Sequence, residues 1–195
     1  MQAAALPLVG LTAWQGLSEV GAVAPGQRVL VHGAGGGLGH VAVQVAKALG
    51  AKVIGTASRS KHEWLRSLGI DDVIDYTTVD FAEAVRDVDL VFDTIGGDYA
   101  ARSLTVLRDG GTLISITGPA EPGPVVEAAA AKRAIRTGWT LVEPDRHGLL
   151  AIADLAIAGK LRPTIAGVFS LAEAARAHEL GEHGHLAGKL VLQIR

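Results

Sequence analysis

The chain has 195 residues, with 18 Lys and Arg against 20 Asp and Glu and no cysteine. That length suits one domain, or one domain with an appendage, and 49% apolar residues is ample for a buried core. The near-neutral charge gives no electrostatic case for nucleic acid or an anionic membrane, and the missing thiols exclude a disulfide framework, a thiolate zinc site and a cysteine nucleophile.

The lack of cysteine fits a reducing cytoplasm. The opening Met1–Pro7 has no basic region, and Pro7 and Gly10 interrupt its apolar run, so a soluble chain without a targeting or membrane segment is expected. An apolar helix is expected from about Val9 to Val20, and Pro25-Gly26 turns the chain into a first strand, Arg28–His32. Further strands are expected at Lys52–Ala57, Asp72–Asp75, Asp89–Asp93 and Thr112–Ile116, with helices between them. Ser60-Lys61-His62-Glu63 has capping-box form and opens a helix that Gly69 stops. Another helix runs from Asp98 to Leu107 and ends at Asp109-Gly110-Gly111. The strands are nearly continuous apolar runs, the pattern of a parallel sheet buried on both faces. Strand–helix alternation with right-handed crossovers gives an α/β fold: a three-layer, doubly wound parallel sheet of the Rossmann type, in the order 3-2-1-4-5-6.

Beyond it, Glu121-Pro122-Gly123-Pro124 reads as a turn and Ala128–Ala131 as part of a helix. Arg136 to Val142 reads as a sixth strand and Arg146 to Ala158 as a helix. Pro163 precedes a short strand, Ser170–Glu173 is a second capping box opening a helix to about Leu180, and Lys189–Ile194 closes the chain as a strand. The organisation expected is a dinucleotide-binding domain over 1–159 and a helix–strand tail over 160–195.

The stretch from Arg28 to His40 carries the most information. A β-branched run ends in Gly33-Ala34-Gly35-Gly36-Gly37-Leu38-Gly39 and enters the helix-patterned Val41–Leu49. Strand, glycine turn and helix bring backbone N–H groups and a positive helix end against a phosphate. An NTPase loop needs Lys and Ser or Thr after its last glycine, whereas here His40 and Val41 follow Gly39. The dinucleotide pattern fits, either as GxGxxG over Ala34–Gly39 with Ala in its first slot, or as Gly33, Gly36 and Gly39 in GxxGxxG. The backbone from Ala34 through Gly35, Gly36 and Gly37 to Leu38 is therefore expected to hold a pyrophosphate.

An NAD site would carry Asp or Glu about 20 residues past this loop to hold the ribose 2′-OH. That slot is Ala57, followed by Ser58, Arg59 and Lys61, a hydroxyl and two cations suited to a 2′-phosphate. NADP(H) is the coenzyme expected. Thr94-Ile95 and Ile116-Thr117 stand at the carboxyl ends of the fourth and fifth strands, where ligands lie in open α/β sheets, and should approach the nicotinamide and its ribose.

At this point several stretches coincide with one family. They are Ala4-Ala5-Leu6-Pro7 with Gly10-Leu11-Thr12-Ala13, the glycine loop, and Ala46-Lys47-Ala48-Leu49-Gly50-Ala51. Next come Val73-Ile74-Asp75-Tyr76, Phe92-Asp93-Thr94-Ile95-Gly96-Gly97, and Gly188-Lys189-Leu190-Val191-Leu192. Together they resemble the coenzyme-binding half of the medium-chain dehydrogenase/reductase family, in its zinc-independent, quinone oxidoreductase-like branch. The resemblance implies hydride transfer between NADPH and a small-molecule quinone, enone or enoyl substrate. It places Thr12 near the nicotinamide and Tyr76 near the adenosine. It implies an N-terminal GroES-like substrate domain ahead of this stretch, on which the tail packs, so the chain is expected to be a shortened coenzyme module. It also implies a homodimer through the edge strand near Thr137 to Val142.

The zinc-bearing branch has a cysteine where this chain has Leu8. His178 and His183 are one residue too far apart for HExxH and do not share a helix face, and no metal site is expected there. His183 and His185 read as solvated, and His32 and His40 as packing or hydrogen-bonding groups beside the loop. No GxSxG elbow supports a nucleophilic serine, and no residue is assigned as general acid or base. A catalytically inactive NADP(H)-binding module and the enoyl-reductase domain of a polyketide synthase are the alternative readings.

Overall fold

The computed structural model describes residues 1–118 and 122–194; Glu121 of the expected turn and Arg195 lie outside the described residues. The main strands are β1 (Arg28–Val31), β2 (Lys52–Ala57), β3 (Asp72–Asp75), β4 (Val88–Asp93), β5 (Leu107–Ser115) and β6 (Arg136–Trp139). They pair in parallel in the order β3-β2-β1-β4-β5-β6, the doubly wound order expected.

Side chains alternate across each strand, so each strand feeds two cores. Val29, Val31, Val53, Leu90 and Phe92 face one cluster, beneath the helices α2 (Pro7–Trp14), α3 (Gly39–Ala48) and α8 (Arg146–Ile157). Leu30, Ile54, Val91 and Leu113 face the other, beneath α5 (Phe81–Ala84), α6 (Asp98–Val106) and α7 (Pro124–Ala131). This is why the strands read as unbroken apolar runs. Among the described residues no helix is long and apolar enough to cross a membrane.

Several boundaries differ from expectation. The opening helix starts earlier, as α1 (Gln2–Ala5) and α2, and widens into a π-type turn over Gln15–Val20. Pro7 sits in the first turn of α2, where its missing N–H costs nothing. The helix α4 (His62–Ser67) has no capping box at Ser60. The chain curls at once on leaving β2, with Lys61 N–H donating to Ser58 O at 2.9 Å, and the Ser60 hydroxyl faces that of Ser58 at 3.3 Å. β5 begins before Asp109-Gly110-Gly111 rather than after it, through a register shift opposite Val88 and Leu90. β6 stops at Trp139, short of the expected Val142.

The tail forms a separate parallel pair, β7 (Ile165–Ser170) with β8 (Lys189–Gln193), linked through α9 (Ala174–Glu182). Here the capping box is present: Glu173 accepts from the Ser170 backbone N–H at 3.0 Å and from its hydroxyl at 2.8 Å. Polar ties to backbone fasten this tail. The amide of Gln44, buried on α3, donates to Arg162 O at 3.1 Å and its oxygen accepts from Arg162 N–H at 2.8 Å. Gln44→Leu orphans both backbone groups and should cost about 1–3 kcal/mol. A urea melt checks the cost, and hydrogen exchange at Arg162 and Thr164 should quicken; an unchanged melt would show that the apolar contacts alone seat the tail.

Candidate functional site

The site begins where β1 ends. His32 is followed by Gly33 at φ +64°, and the next segment is held up from below by one threonine of β2. Thr56 Oγ1 accepts from Gly33 N–H at 3.1 Å and Thr56 O from Ala34 N–H at 3.0 Å. Gly36 N–H then turns back to Gly33 O at 2.9 Å. The amides of Gly35, Gly37, Leu38 and Gly39 have no acceptor among the described residues. No side chain caps α3 at Leu38, so the positive end of the helix macrodipole lies open beside them.

Glycine is required here by space. A Cβ on Gly39 would fall on the Gly33 carbonyl oxygen, and one on Gly35 would strike the side chain of Lys61. A helix can start this close to the turn only without a side chain at Gly39. Ala34, by contrast, is buried under the loop against Gly55 and has spent its amide on Thr56.

The open amides line a cavity of about 490 Å³ at the carboxyl ends of β1, β2 and β4. It brings together Gly35, Gly36, Gly37 and Leu38 with Ser58, Lys61 and Tyr76, and on the far side Thr94, Ile95 and Ile116. Four of the expected residues stand elsewhere. The Thr12 hydroxyl donates to Leu8 O at 2.8 Å within α2. Ala34 lies beneath the loop. Arg59 is exposed and near the Asp75 carboxylate, which hydrogen bonds from Thr77 hold below the usual carboxylate range. The Thr117 hydroxyl turns to Ser115 Oγ at 3.0 Å.

Four lining residues escaped sequence reading: Thr56, Tyr99, His185 and Leu186. A threonine inside an otherwise apolar strand end was a usable signal for Thr56. For His185 and Leu186 there was none, because the tail reaches the cavity only through tertiary folding.

Lys61 sits at the junction. Its ammonium donates to Gly35 O at 3.0 Å and to Leu186 O at 2.8 Å, and burial lowers its pKa from the usual lysine value. With three donors and two acceptors, one N–H remains. The site therefore offers four neutral donors and a cation, and the end of β2 presents Ala57 rather than a carboxylate.

Residues 68–192 match the sequence profile of the family described as zinc-binding dehydrogenase. The chain belongs to that family. Its relatives are oxidoreductases of the medium-chain dehydrogenase/reductase superfamily. It is 33% identical over 219 residues to the mitochondrial NAD(P)H oxidoreductase RTN4IP1 of Mus musculus, covering 99% of this chain and 55% of that protein. It is 38% identical over 206 residues to a 2-haloacrylate reductase of Burkholderia sp, covering 97% of this chain and 62% of that one. The structure of the quinone oxidoreductase from Coxiella burnetii superposes with a TM-score of 0.92 at 39% identity, over 100% of this chain and 61% of that one. The chain thus spans 55%, 62% and 61% of the length of these three relatives. A nicotinamide coenzyme accords with this Rossmann-type fold, and the free amides and the glycine cradle fit its pyrophosphate. Among the described residues no group of three or more His, Asp or Glu is placed to hold a metal ion.

Two buried histidines beside the turn are held in neutral form. His40 Nδ1–H donates to Gly36 O at 2.8 Å while its Nε2 accepts from Thr164 N–H at 3.0 Å, which requires the uncharged ring; burial lowers its pKa. His32, wholly buried, lies 3.0 Å from Ser103 Oγ, and burial, with Arg102 nearby, lowers its pKa to about 3. Because the folded ring resists protonation, the unfolded chain binds more protons below about pH 6.5, and stability must fall as acid is added. Each pH unit in that range costs about 1.4 kcal/mol through His32. His32→Asn should flatten the dependence of unfolding free energy on pH between about 6.5 and 4.5, above the carboxylate range; an unaltered slope would contradict this assignment.

Proposed function

We propose that the chain is the coenzyme-binding part of a zinc-independent, NADPH-dependent reductase acting on a quinone, enone or enoyl substrate. The observation that carries this reading is the set of four unspent amides beside Lys61, with Ala57 in the slot where an NAD site would hold a carboxylate. Zinc independence rests on the donor set: the chain has no cysteine, and Leu8 stands at the zinc branch's cysteine position.

The glycine-turn amides would hold the pyrophosphate, and Lys61 with Ser58 the 2′-phosphate. When bound, the coenzyme supplies a hydride from its nicotinamide. The protein's part is orientation and exclusion of water. Asp93 Oδ1 accepts from Ile95 N–H at 2.9 Å and Gly96 N–H at 3.1 Å, and Thr94 Oγ1 donates to His32 O at 2.8 Å. These bonds fix the turn after β4, so that Ile95, with Ile116 opposite, presents an apolar wall to the reacting end. No residue of this chain is assigned as proton donor. A cytoplasmic location goes with this reading, in keeping with a chain free of cysteine.

A hydrogen bond to a charged group contributes roughly 1.5–3 kcal/mol, or about a tenfold to hundredfold preference. In a fluorescence titration NADPH should therefore bind at least about tenfold more tightly than NADH, and Lys61→Ala should remove most of that margin. Arg59→Ala should remove less, because Arg59 lies outside the cavity lining and near Asp75. Equal binding of the two coenzymes would overturn the reading.

The same proposal includes a homodimer. β6 is an edge strand of the sheet, and its unpaired backbone groups are satisfied by pairing with a second copy. Light scattering at micromolar concentration should give twice the chain mass; a monomer mass would refute it.

A further inference from the structure

After α9 the chain reverses through two successive residues in the left-handed region, Gly184 at φ +70° and His185 at φ +62°. Left-handed backbone at a residue other than glycine is uncommon and persists where its surroundings hold it. The reversal delivers the Leu186 carbonyl to the Lys61 ammonium, 125 positions away in sequence, and puts His185 and Leu186 into the cavity wall. The segment is pinned again just beyond: Lys189 N–H donates to Thr164 O at 2.8 Å, and the Lys189 side chain lies over Gly37.

We propose that the Gly184–Leu186 turn is a specificity element of the coenzyme site. The Leu186 carbonyl acts as a positioning group that holds Lys61 beside the glycine turn for the 2′-phosphate. The inference rests on the NADPH reading given above. Lysine has a long, freely rotating stem, and an unrestrained ammonium would surrender that freedom on meeting a phosphate. Here the Gly35 and Leu186 carbonyls have already fixed it, leaving one N–H for a ligand. Choice between NADPH and NADH then depends on a segment outside the six-stranded sheet. Coupling between two sites is reciprocal. If the docked turn favours NADPH over NADH, NADPH must tighten the turn more than NADH, which lacks the 2′-phosphate, by the same factor.

Two measurements on the whole chain test this. Hydrogen exchange at residues 184–188 should be slowed more by saturating NADPH than by saturating NADH. A Cβ added at Gly184 meets nothing within 4 Å, so Gly184→Val acts chiefly on backbone conformation. It should weaken NADPH binding at least about fivefold more than it weakens NADH binding. Gly184→Asn, which tolerates the left-handed region, should restore the preference. A preference for NADPH that Gly184→Val leaves intact overturns the inference alone, as does equal protection by the two coenzymes, which also decides the matter if the valine variant fails to fold. Equal affinity for the two coenzymes in the unaltered chain overturns the NADPH reading, and this inference with it.

Discussion

The helix α3 starts so close to the turn that feeds it that a Cβ on Gly39 would fall on the Gly33 carbonyl oxygen, and the site depends on this approach. No side chain from the preceding loop caps this helix, and the amide of Gly39, with those of Gly35, Gly37 and Leu38 before it, stays unspent. Thr56 supports the turn from the neighbouring strand, and the doubly wound strand order leaves a cleft above β1, where the order reverses. The free donors and the positive helix end thus meet in the cleft that the strand order opens.

Around that point the structure uses polar side chains to seat irregular backbone. Gln15 exchanges two hydrogen bonds of 3.0 Å with the backbone of Glu143, and Gln44 does the same for Arg162. His40 joins Gly36 to Thr164, and Lys61 joins Gly35 to Leu186. The last two pairs connect the glycine turn to the C-terminal tail. A buried backbone group left unpaired is costly, so these few residues locate the tail although β7 alternates between half-buried and exposed positions.

The sheet was legible in the sequence because its strands are apolar on both faces and its turns carry glycine. The order of strands, the glycine turn and the approach of Lys61, Thr94 and Ile95 to one cavity follow from that pattern, whereas Tyr76 was expected there only from the family resemblance. What escaped was set by hydrogen bonds between distant residues. Ser60 looked like a helix cap, but the tight curl after β2 moved the helix start to His62. His185 looked solvated, yet a left-handed turn carries it into the cavity wall. Ala34 belongs to the glycine pattern in sequence but lies under it in space, its amide already bonded to Thr56.

The central claim is that the amides of Gly35, Gly37, Leu38 and Gly39 are the phosphate donors. Amide NMR of the isotope-labelled chain during addition of NADPH reads each of them separately. The account predicts that these four signals move strongly downfield, as hydrogen bonds to phosphate require, while the amides of Ala34 and Gly36, already spent, move little. Strong shifts confined to other parts of the chain, with these four unmoved, would contradict it.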